Sequence, residues 1–146
     1  WYNVGTAWST QLVLLPLRAF VGQSDYLGYE ARYLDLTQLP LVTMFSLLLL
    51  ATALLLWTRP TELPEWTVWL GALLEAMTVF WALGLQLPLQ SRIGREGLSE
   101  SLYAQVIAGN WLRTTAITLH GFLLAWMMVR VTTPRGLLRG SSRWGL

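Results

Sequence analysis

Residues 101–129 read SLYAQVIAGNWLRTTAITLHGFLLAWMMV, an apolar run in which Arg113 is the one formal charge. A helix rises about 1.5 Å per residue, so roughly 20 such residues cross a hydrocarbon layer about 30 Å thick. The run therefore predicts a membrane span. Working outward, 66–91 is broken only by Glu75, 36–58 carries no charge, and 1–17 is a fourth apolar stretch. The fold class this predicts is an all-α integral membrane four-helix bundle.

The finer boundaries follow from the polar breaks. Helices are expected at 2–21, 39–57, 66–87 and 103–131, with Pro16 kinking the first and Pro40 in the first turn of the second. Between them, 22–37 mixes Tyr26, Leu27, Tyr33 and Leu34 with Asp25, Glu30, Arg32 and Asp35, which reads as an amphipathic segment lying at the interface. Arg59, Pro60, Glu62, Pro64 and Glu65 form a short hairpin, and 90–100 is a second polar connection. Residues 1–133 are thus the transmembrane domain and 134–146 a basic surface tail.

Composition narrows the class of function. The 146 residues leave no room for a sizeable soluble domain beside four spans, and a net charge of +2 without aromatic-basic repeats argues against nucleic acid. With no cysteine, disulfides, iron-sulfur clusters and thiolate zinc sites are excluded. No GxSxG, HExxH, P-loop or GxGxxG occurs, and Glu96 with Glu100 reads as a solvated face. The chain starts at Trp1, so some N-terminal sequence is expected to be absent or removed.

Orientation rests on arginine, since all ten basic residues are arginines. Arg59, Arg130, Arg135, Arg139 and Arg143 fall on the terminal side, against Arg18, Arg32, Arg92, Arg95 and Arg113 on the other. The count is even, and the basic tail tips the expectation toward cytoplasmic termini in a bacterial inner membrane. Trp57, Trp66, Trp69 and Trp126 gather on the terminal side as interface anchors, an aromatic belt among membrane lipids.

Polar residues inside apolar spans are costly and turn toward partners. Gln11, Ser46, Glu75 and His120 fall near the middles of the four spans and predict one intramembrane polar layer. Gln86 shares a face with Glu75, Arg113 lies about 20° from His120 around the helix, and Asn110 about 80° from His120 and nearly three turns away, so Gln86, Asn110 and Arg113 are candidates for polar contact with a substrate or partner. Small residues, Ala72 with Ala76 and Gly121 with Ala125, allow close helix approach. Glu75, protonated or paired with His120 or Arg113, can simply tie helices together. The alternative is a pocket where His120 binds haem, a metal or chlorophyll-type magnesium. One histidine in the whole chain argues against metal catalysis of its own.

Residues 10–33, TQLVLLPLRAFVGQSDYLGYEARY, and 85–128, LQLPLQSRIGREGLSESLYAQVIAGNWLRTTAITLHGFLLAWMM, together resemble the small bacterial four-helix membrane proteins related to the anthrone-oxygenase-like family. The more specific marks are Gln11 with Pro16, Tyr29 with Arg32, Pro40, residues 86–89, and Asn110, Trp111 and Arg113. The resemblance implies the four-helix fold and suggests oxygenation of a lipophilic aromatic substrate. Glu30 and Gln90 stand where relatives often carry histidine, which favours a member reused as a scaffold. Ala116, His120 and Trp126 in AxxxHxxxxxW also resemble the bacteriochlorophyll-binding core of antenna helices, implying a pigment at His120.

The leading expectation is a non-catalytic accessory or scaffolding subunit of a larger bioenergetic or photosynthetic membrane complex. Its alternative is a membrane oxidoreductase or oxygenase-like enzyme acting on a lipophilic aromatic or quinone-like substrate.

Overall fold

The computed structural model describes residues 1–133 and is helical almost throughout. The expected tail at 134–146, with Arg135, Arg139 and Arg143, lies outside the described residues. The elements are α1 (Tyr2–Ser9), a π-helical turn (Thr10–Leu14), α2 (Leu15–Arg18), α3 (Gln23–Thr58), α4 (Glu65–Trp81), a second π turn (Ala82–Gln86), α5 (Leu87–Glu96) and α6 (Glu100–Thr132). They make four rods, since each π turn joins its flanking helices without a break. Three rods are long and apolar enough to cross a membrane: Ser24–Thr58, Glu65–Glu96 and Glu100–Thr132.

The two π turns share a cause. Pro16 and Pro88 each enter the next helix at its first or second position and bring no N–H to the ladder. The chain answers with one wide turn immediately before each proline. Helix ends follow local chemistry. Arg59 is left-handed at φ 39° and, with Pro60 and Pro64, stops α3 and starts α4. Gly97, at φ 78°, ends α5 in a conformation that costs other residues steric strain. Ser99 caps α6 by accepting from the Leu102 N–H at 3.3 Å.

Two boundaries differ from the sequence reading. Residues 22–37 are no separate interfacial helix: α3 runs through Pro40 for 36 residues. Tyr26, Glu30 and Tyr33 recur at helical spacing and turn one face of this segment inward, which is sufficient register to extend the span. The connection expected at 90–100 shrinks to 97–99 because α5 continues to Glu96.

α6 is the organising rod. Trp1 meets Phe122 edge-on at 5.7 Å, Trp8 donates to the Thr118 hydroxyl at 3.1 Å, and Gln11 pairs with Asn110, so the first rod runs antiparallel to α6. Glu75 faces His120 and Trp81 faces Arg113, so α4 is antiparallel to it as well. Apolar packing concentrates at the two ends. Tyr26, Ile93 and Leu102 form one cluster, and Leu63, Val68 and Met127 the other. The middle is where the polar side chains meet. α3 joins the rest through its ends, and of its most apolar 18-residue window none is buried, against 33% and 28% for the other two spans.

Candidate functional site: a polar interior and a cleft

α6 supplies most of the polar interior, because Asn110, Arg113, Thr114 and His120 share its inward stripe and are all buried. Asn110 donates from Nδ2 to Gln11 Oε1 at 2.7 Å and to Thr114 Oγ1 at 3.4 Å. Its own Oδ1 accepts from Arg113 Nη1 at 3.2 Å. The Arg113 guanidinium lies 5.4 Å from the centre of the Trp81 ring. Gly109 makes this stack possible, since a Cβ there would stand 3.1 Å from Trp81 Nε1.

Ten residues further along α6, roughly 15 Å in a helix, His120 Nδ1 lies 3.3 Å from Glu75 Oε2. Both side chains are buried, at 4% and 2% exposure. The approach is within ion-pair reach yet off hydrogen-bond geometry, and neither Glu75 oxygen has a hydrogen-bond partner among the described residues.

The expected single layer is therefore two separate pairs, Gln11 with Asn110 and Glu75 with His120. Ser46 joins neither: it is exposed on α3. Depth along a span says nothing of rotation about it, and the leucines surrounding Ser46 mark no inward stripe.

A second buried ion pair was not expected from sequence. Arg18 Nη1 lies 3.4 Å from Glu30 Oε2, with exposures of 5% and 3%. The Arg18 guanidinium also sits 4.3 Å over the Tyr33 ring. The spacing of Tyr26, Glu30 and Tyr33 was the available signal, hidden by the exposed Arg32–Asp35 pair on the other face.

Between these groups a partly open cleft of about 30 Å³ is lined on its polar side by Thr10, Arg18, Tyr33, Gln86, Gln90 and Asn110. Leu15, Trp81, Leu89 and Val106 supply its apolar wall. Thr10 and Gln86 both lie in π turns, a feature frequent at functional sites. Of the candidates for polar contact, Gln86 and Asn110 line this cleft directly and Arg113 reaches it through Asn110.

His120 Nε2, the nitrogen a haem or chlorophyll-type pigment would take, lies toward α4, where a Cβ on Gly71 would stand 3.7 Å from it. Among the described residues no group of three His, Cys, Asp or Glu side chains is placed to hold a metal ion. Trp57, Trp66 and Trp69 are exposed at the α3–α4 end, where Trp66 lies 6.4 Å from Trp126 and Arg130 packs 5.0 Å over Trp126.

No family model, curated protein or solved structure matches the chain.

Proposed function

We propose that this chain is a non-catalytic accessory subunit of a larger membrane complex, built on the four-helix scaffold it resembles and docking through α3. A bacterial inner membrane with cytoplasmic termini, and a tryptophan belt at the hairpin end, complete this reading. The bare face of α3 carries it. Leu39, Thr43, Ser46, Leu50, Ala53 and Trp57 are all exposed. Their spacing of four and three places them within about 40° of one line along the helix. Met44, Leu48, Thr52 and Leu55, on the opposite side, are half-buried.

A lipid-facing surface has no need of small or hydroxylated residues. Thr43, Ser46 and Ala53, interleaved with leucines, suit close approach of another transmembrane helix, where small side chains let backbones come together. The occupant this favours is a spanning helix of another subunit.

A photoreactive amino acid at Leu50 or Ala53, activated in native membranes, tests this. One discrete heteromeric adduct is expected, lost in Ser46→Leu, with a control position at the exposed Phe80 giving none. Adducts with lipid only, or with a second copy of this chain, would overturn the reading.

The enzyme alternative draws on one observation, the convergence of Gln86, Asn110 and Arg113 at the cleft. It also needs Glu75 and His120 to move protons there. His120 is seven residues beyond Arg113, roughly 10 Å farther along α6, and does not line the cleft.

A further inference from the structure

Buried polar atoms without a hydrogen-bond partner gather at the cleft, donors on its lining residues and, beside Arg18, both oxygens of Glu30. Arg18 Nε and Trp81 Nε1, both on lining residues nine-tenths or more buried, have no partner among the described residues. Arg113 Nε, on the side chain that stacks on Trp81, has none either. Gln86 and Gln90 add amide groups at the rim. Of the two buried guanidiniums here, Arg18 pairs with the buried Glu30 while Arg113, held by Asn110 and Trp81, has no carboxylate partner among the described residues, which leaves one positive charge in excess; arginine stays protonated in proteins. Donors and charge together call for a monoanion presenting oxygen acceptors.

Size narrows the class. A water needs roughly 10–15 Å³ on the measure that gives this cleft about 30 Å³. That is room for about two water-sized oxygens at the polar end of a partly open cleft. The neighbouring wall of Leu15, Leu89 and Val106 is apolar.

We propose that this cleft binds the carboxylate of a single-chain amphiphile, a free fatty acid, with Arg18, Trp81 and Gln90 donating to its two oxygens. The acyl chain continues along the apolar wall toward the lipid. The site is independent of the docking face on α3.

A fatty acid carrying a diazirine near its carboxyl tests this on the intact purified chain, with adducts mapped by peptide mass. Adducts are expected at the α2, α5 and α6 residues around the cleft. Unlabelled palmitate should compete, and its uncharged methyl ester should do so about tenfold more weakly, the scale of one charge-assisted hydrogen bond. Gln90→Leu, which breaks no ion pair, should weaken labelling severalfold at unchanged thermal stability; Arg18→Gln should do so further. Equal competition by the ester, stronger competition by dodecyl phosphate, adducts scattered over outer faces, or unaltered labelling of Gln90→Leu would each overturn the proposal.

Discussion

Asn110 donates to Gln11 across 2.7 Å, joining the first rod to α6 through side chains 99 residues apart in sequence. The same asparagine accepts from Arg113 and donates to Thr114, so one amide serves three neighbours. Asn110→Leu strands the Gln11 oxygen and one Arg113 donor, and is expected to destabilise the chain by about 1–3 kcal/mol. Gln11→Leu should cost less. Unfolding in mixed micelles measures both, and a double-mutant cycle should return a coupling near 0.6–1.7 kcal/mol, roughly the range for hydrogen bonds between membrane helices.

The Arg18–Glu30 pair sits in a buried setting where removing one charge leaves the other uncompensated. Glu30→Ala is expected to cost about 3–5 kcal/mol, and Arg18→Met combined with Glu30→Met far less than the sum of the single changes. Thermal melts of Glu30→Ala, the two single methionine variants and their combination decide this. Additive losses would show that the two side chains act separately.

The Glu75–His120 pair gives a parallel expectation at the other polar level. His120→Leu leaves a buried carboxyl without its neighbour, whereas His120→Leu with Glu75→Leu replaces both polar groups by apolar ones, which can be close to neutral. The double variant should therefore be recovered from membranes in better yield than His120→Leu, as read by fluorescence-detected size exclusion.

These levels show which features could be read from residues alone. The apolar run of 101–129 and its stripe of Asn110, Arg113 and His120 were legible because helical periodicity separates polar from apolar faces. In α3 the signal failed twice. Charges at Asp25, Arg32 and Asp35 masked the inward face of Tyr26, Glu30 and Tyr33, and an all-round leucine surface gave no rotation for Ser46. The π turns left no compositional trace beyond the prolines that follow them. The cleft depends on both turns and on Arg18, so its assembly required three-dimensional packing.

Close packing gives another test. A Cβ on Gly121 would come 2.7 Å from Val4 Cγ2, so the first rod lies against α6 with no space to spare. Gly121→Leu is expected to cost about 1–3 kcal/mol by overpacking and to expose the first rod to limited proteolysis, while the exposed Gly94, with nothing near its Cβ position, should accept alanine without loss.

The chain contains no cysteine, which makes single-cysteine labelling direct. Glu62, between α3 and α4, and Arg95, near the end of α5, lie at opposite ends of the third rod, with Leu119 in the body of α6. In sealed membrane vesicles of one orientation, an impermeant maleimide should reach Glu62→Cys from one side only, Arg95→Cys from the other only, and Leu119→Cys from neither. Reaction of Glu62→Cys and Arg95→Cys from the same side, or ready aqueous labelling of Leu119→Cys, would contradict a chain whose long rods traverse the bilayer.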